Sequence, residues 1–181
     1  VTRPIASQVK PTMPTLILFR HGKSDWNADY ASDHERPLTQ RGREAARLMG
    51  RLLWQSGQLP DLAVSSTAVR ARDTLRHAAQ AGHWHCPTRI ERALYETTAA
   101  DTLAWVQALD ENPDCLLLTG HEPTWSELAG RLIGNATIRF PTGAMLRIDF
   151  AAPSWSAVGF GDGEMRWLAT PKLLQKVKGR G

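Results

Sequence analysis

Cysteine is nearly absent from this chain: two residues, Cys86 and Cys115, in 181. Two thiols make no disulfide framework, and Cys115, in the run Cys115-Leu-Leu-Leu118, reads as a small packed hydrophobe. Nothing calls for an oxidising compartment, so the expected location is cytoplasmic. Long apolar runs are missing as well. No stretch approaches the ~20 residues of a membrane-spanning helix, and no membrane partner is expected. Residues 1–14 lack the apolar segment of a secretory signal; with Pro4, Pro11 and Pro14 they read as a flexible arm. No glycine-rich Walker loop is present, which excludes a nucleoside-triphosphate cradle of that kind. His83-Trp84-His85-Cys86 has metal-like residue types but follows the helix-ending Gly82 and lacks a partner cluster, so no metal and no cofactor is expected.

Acid is missing from both ends. Residues 1–10 hold Arg3 and Lys10, and residues 172–181 hold Lys172, Lys176, Lys178 and Arg180, with no carboxylate among them. Without these six bases the body carries 16 against 18 acids, although the whole chain is +4. The basic pI of about 9.4 therefore belongs to solvated ends, and no nucleic-acid partner is expected. With 42% hydrophobic and 22% charged residues, the chain fits one domain with a sizeable core.

What is present alternates strand and helix throughout, without repeats or linkers. Residues 15–19, Thr-Leu-Ile-Leu-Phe, read as a buried strand, followed by a polar stretch (24–36) without periodicity. Thr39 caps a helix whose Ala45, Leu48, Met49, Leu52 and Leu53 share one face and which ends at Gly57. Residues 62–64 predict a strand, 68–81 a helix closed by Gly82, and 89–91 a short strand. A cap-like Thr98 with Asp101 opens a helix to about residue 109; residues 114–119 form the clearest central strand. Pro123 suits a first helical turn ahead of Leu128, Leu132 and Ile133. Two further strands are predicted at 144–150 and 164–169, with 155–160 ambiguous. The fold class is α/β, a mainly parallel central sheet with helices on both faces.

Three strand-to-helix junctions carry similar chemistry: Arg20-His21-Gly22, Ser65-Ser-Thr-Ala-Val-Arg70 and Gly120-His121-Glu122-Pro123. In a parallel sheet such junctions share one edge, so Arg20, His21, Arg70 and His121 converge on one crevice. Guanidinium forks match phosphate oxygens, and helix amino ends add a positive field. A histidine nucleophile must be neutral to attack phosphorus, and neighbouring arginines push it toward that form. The same arginines neutralise the oxygens of a transferring phosphoryl group, the task magnesium performs elsewhere. The product is a phosphohistidine, hydrolysed in a second step.

Taken with this chemistry, the motifs resemble the histidine phosphatase superfamily, whose fold is phosphoglycerate-mutase-like, and within it the SixA-type phosphohistidine phosphatases. Arg20-His21-Gly22 is similar to the signature; Ser65-Ser66 through Arg70 and Thr74 resemble the second arginine motif, and Gly120-His121 the second histidine motif. Lys23-Ser-Asp-Trp26, Arg36-Pro-Leu-Thr39 leading to Gly42, Leu94-Tyr-Glu96 and Trp167-Leu-Ala-Thr-Pro171-Lys172 support it. The resemblance spans about residues 16–172, which sets a domain at 15–172 between an arm (1–14) and a basic tail (173–181). It implies His21 as nucleophile, Arg20, Arg70 and His121 as phosphate ligands, and a resting proton on His121 as one way to stabilise the transferring group. For a general acid it implies Glu96, with Asp25 or none as the alternatives. Asn27 is either a phosphate contact or a turn cap, and Arg36 either a strap over the pocket or a surface ion pair. Arg72 and Arg76 read as a solvated face, and His34 and His77 as surface residues. The implied partner is a phosphohistidine protein or a small phosphomonoester, met by a monomer. A non-catalytic phosphate-binding module is the alternative from another class.

Overall fold

The computed structural model describes residues 13–178. The arm expected at 1–14 therefore lies almost wholly outside the described residues. β1 (Thr15–Arg20), β2 (Leu62–Ser66), β3 (Thr88–Glu91), β4 (Cys115–Gly120), β5 (Met145–Phe150) and β6 (Gly163–Ala169) form one sheet in the order β3-β2-β4-β1-β5-β6. The first four run parallel, while β5 and β6 are antiparallel to their neighbours. The sheet is mostly parallel, as the alternating pattern predicts.

Both faces are covered, and β1 shows why residues 16–19 are apolar without a break. Leu16 and Leu18 point into a core with α3 (Ala99–Gln107) and α4 (Thr124–Leu132). Ile17 and Phe19 point into the other, with α1 (Gln40–Gln55) and α2 (Val69–Ala81). Side chains alternate across a strand, so a strand buried on both faces must be apolar at every position. Thr39 caps α1 by accepting from Gly42 N–H, and Thr98 caps α3 by accepting from Asp101 N–H. α1 and α2 pack closely because Gly50 faces the backbone of Ala78: a Cβ there would lie 2.0 Å from the Ala78 carbonyl oxygen.

Two stretches gain detail. Part of the stretch read as a tail is helical: α5 (Pro171–Lys178) follows β6 directly, and its Leu174 packs against the α1 side of the core. The ambiguous stretch 155–160 holds only a short 3-10 turn, Trp155–Ala157, with Trp155 buried.

Candidate active site

β1, β2 and β4 end at the same edge of the sheet, in register: Arg20 is opposite Gly120, and Ser65 is opposite Thr119. The three junctions therefore meet, and Arg20, His21, Arg70 and His121 line one cleft of about 270 Å3. Its other walls include Lys23, Ser24, Trp26, Arg36, Glu122 and Thr142.

The turn after β1 is fixed tightly. Gly22 N–H donates to Thr74 Oγ1 at 2.9 Å, and that hydroxyl donates to the Arg70 carbonyl at 2.7 Å, tying the turn to the first turns of α2. Gly22 is required by close approach, since a Cβ would sit 2.7 Å from the Gly42 carbonyl oxygen. The loop before β5 backs the turn: Gly143 N–H donates to the His21 carbonyl at 3.0 Å, and Arg20 Nη1 to the Phe140 carbonyl at 2.6 Å.

His21 is 8% exposed, and its Nδ1 lies 2.7 Å from the Gly22 carbonyl oxygen. A carbonyl only accepts, so Nδ1 carries the proton and Nε2 keeps its lone pair. Burial pushes the ring's pKa down to about 3, with the charges of Arg70, Arg20 and Arg36 adding, against the Gly22 carbonyl, which pulls it up. His121 stands with its ring centroid 5.2 Å from that of His21, and its Nε2 lies 2.6 Å from Ser66 Oγ. Burial lowers it also to about 3, with His21, Arg70 and Arg20 adding and Asp33 opposing. A resting proton on His121 is therefore not what this site favours. Tyr95 meets His121 edge-on at 5.5 Å and His34 at 4.8 Å, so His34 is part of the flank and half-buried.

The guanidinium groups are held from behind. Asp33 receives Arg70 Nη2 at 3.0 Å and Arg36 Nη2 at 2.9 Å, and its carbonyl accepts from Arg70 Nη1 at 2.6 Å. Burial raises the Asp33 pKa, but the hydrogen bond from Arg36 and the charges of Arg70 and Arg36 outweigh it, and the net shift is downward. Arg36 also donates to Ser24 Oγ and stacks 3.6 Å over the ring of Trp26, which is 64% exposed at the rim. Three nitrogens of cleft residues, Arg20 Nε, Arg70 Nε and His121 Nδ1, are buried with no partner among the described residues.

Two expected site residues are not in the cleft. Glu96 has its side chain 69% exposed and pairs with Arg92 at 3.5 Å on the outer surface. Its backbone lies in the left-handed region, at φ 52°. Asn27 does not line the cleft, and the side chain that caps the turn there is that of Asp25, whose Oδ1 accepts from the Asn27 backbone N–H at 3.0 Å. Sequence reasoning left open Arg36, which is 5% exposed and inside the site, and missed Glu122. Arg36 sits in a stretch with no periodicity, whereas Glu122 is adjacent to His121 and was legible from that neighbour alone. His77, expected at the surface, is 6% exposed, with neither ring nitrogen partnered among the described residues. Burial, with Arg76 and Arg47 adding, lowers its pKa.

A mostly parallel sheet whose edge gathers two histidines and three arginines has the form of a phosphate site, and the family and structural matches that follow place the chain among the phosphatases. The sequence profile of the histidine phosphatase superfamily (branch 1) matches residues 16–104. An uncharacterised protein of Mycobacterium tuberculosis is 38% identical over 113 residues, 61% of this chain and 67% of that protein. A SixA-type protein of Nakamurella multipartitia superposes with a TM-score of 0.75 at 26% identity, covering 88% of this chain and 96% of that one. The protein histidine phosphatase SixA in complex with tungstate gives 0.77 at 25% identity, covering 88% and 99%. This chain belongs to the histidine phosphatase superfamily.

Proposed function

We propose that this chain hydrolyses phosphohistidine on a protein, without a metal, by passing the phosphoryl group through His21. The observation that carries the reading is the His21 ring: buried, neutral, its Nδ1–H tied to Gly22, and flanked by three guanidinium groups. In the first step Nε2 of His21 attacks phosphorus, the bond from phosphorus to the substrate's ring nitrogen breaks, and that nitrogen takes a proton from solvent. In the second, water attacks the phosphorus on His21, losing a proton as inorganic phosphate leaves and His21 returns to its neutral form. Arg20, Arg36, Arg70 and His121 offset the charge on the phosphoryl oxygens in both steps. With Ser66 donating to His121 Nε2, its unpartnered Nδ1 bears a proton for a phosphoryl oxygen, and the arginine Nε donors are similarly free. The approach of a phosphate dianion raises the His121 pKa, because a nearby anion favours the charged ring. The tungstate carried by a structurally similar SixA is a tetrahedral oxyanion of the same kind.

The carboxyl groups support a phosphoramidate over a phosphomonoester. Glu96 lies outside the cleft, Asp25 is engaged in its turn, and both oxygens of Glu122 accept from Ser126, from its N–H at 3.1 Å and from its hydroxyl. Among the described residues Glu122 is the one carboxyl-bearing residue that lines the cleft, and Ser126 holds both of its oxygens. An imidazole leaving group needs little help from a protonated carboxyl, whereas an alcohol needs much. The test compares kcat/KM for a phosphohistidine protein with that for alkyl phosphates. The reading predicts at least a hundredfold preference for the former; equal or better hydrolysis of alkyl phosphates overturns it.

A further inference from the structure

The cleft continues past its own wall. Lys23 and Thr142 line it and also line a second hollow of about 480 Å3 beside it. That hollow carries Lys23, Arg41, Arg139 and Lys172 and no acidic side chain. The four cations come from four separate places: the turn after β1, the start of α1, the loop before β5 and the start of α5. No run of charge in the sequence announces them; the fold assembles them. All four are exposed, and none has an ion-pair partner among the described residues. The contrast with the cleft is informative, because Arg36 and Arg70 there share Asp33. Gathering four like charges without a counter-charge is unfavourable alone, and becomes favourable when an anionic surface arrives.

We infer that this hollow receives an acidic stretch of the phosphoprotein substrate, next to the histidine whose phosphoryl group enters the cleft. The inference rests on the function proposed above and supplies its specificity. Exposed cations on long stems suit several carboxylates spread over a polypeptide better than one compact anion, which buried forks hold. Thr142 and Thr170 add hydroxyls for main-chain groups between the apolar walls of Ala45, Pro141 and Pro171. The exposed Trp26 at the cleft mouth gives the same substrate an aromatic face to rest on.

The experiment uses two phosphohistidine peptides of equal length, one flanked by glutamates and one by glutamines, together with an aryl phosphate. Wild type and the Arg41→Gln/Arg139→Gln/Lys172→Gln variant are assayed on all three at low and high salt. The expected wild-type result is about a tenfold preference in kcat/KM for the acidic peptide at low salt, shrinking as salt rises, since several exposed ion pairs each contribute a few-fold. In the variant that preference disappears, while aryl phosphate turnover stays unchanged and certifies the fold. Equal turnover of both peptides by wild type overturns the inference, as does a preference that survives in the variant. Hydrolysis of the aryl phosphate with no turnover of either peptide defeats the proposed function itself, a distinct outcome.

Discussion

The proposed chemistry rests on His21 and His121, and both are held neutral by burial and neighbouring charge, with pKa values near 3. In the folded chain His21 binds fewer protons than in the unfolded chain between its ordinary value of 6.5 and about 3. Stability from this group is complete above pH 6.5 and is lost as pH falls toward 3. At pH 5 one such histidine costs on the order of 2 kcal/mol, and the downward shifts of His121 and His77 act in the same direction. Denaturant unfolding at pH 7.5 and pH 5 checks this, together with an NMR titration of the His21 ring. A ring that titrates near its ordinary value, or equal stability at both pH values, contradicts the assignment. Arg36 supplies a second residue-scale prediction. It reaches Asp33 and Ser24 while stacking on Trp26, a geometry that depends on a planar fork. Arg36→Lys keeps the charge and loses the fork, so kcat/KM for an aryl phosphate falls about tenfold or more in steady-state assays.

At the scale of elements, the site depends on how the turn after β1 is clamped to α2. Thr74 Oγ1 accepts from Gly22 N–H and donates to the Arg70 carbonyl, so one hydroxyl fixes the turn that carries His21 and the start of α2 that carries Arg70 together. Thr74→Val leaves the buried Gly22 N–H unpaired and lowers unfolding stability by about 1–3 kcal/mol, whereas Thr74→Ser retains most of it. Denaturant unfolding of the two variants separates these outcomes. The elements themselves were legible in sequence wherever one rule governs them. The apolar centre of β1, the Thr39 and Thr98 caps and the stripe of α1 required only burial and hydrogen-bond chemistry. The stretch 24–36 was not legible, because its order comes from Arg36 bridging Asp33, Ser24 and Trp26, contacts without periodicity. The exposed placement of Glu96 beside Arg92 was not legible either, because proximity to Leu94-Tyr95 in sequence does not fix which surface the next side chain reaches.

At the scale of the molecule, one sheet edge does what no single segment can. Parallel pairing of β1 with β4 and of β4 with β2 brings together residues up to a hundred positions apart. That convergence was legible, since it follows from strand-to-helix junctions in a parallel sheet. The loop before β5 was not, because its contribution to the His21 turn is made by backbone atoms that any sequence carries. In the proposed mechanism the guanidinium groups assembled at the edge carry the charge a divalent ion supplies in other phosphoryl-transfer sites, so chelation is expected to leave activity unchanged. Steady-state turnover before and after exhaustive dialysis against a chelator checks this, and loss of activity restored by added metal contradicts it.

The most direct test of the covalent route through His21 is mass spectrometry of protein quenched during turnover, at neutral and at acid pH, in wild type and in His21→Ala. The account predicts one phosphoryl group on His21 that survives the neutral quench, is lost in acid, forms and decays fast enough to carry turnover, and is absent along with activity in the variant. Undiminished turnover by His21→Ala, or wild-type turnover with no adduct under any quench, contradicts it.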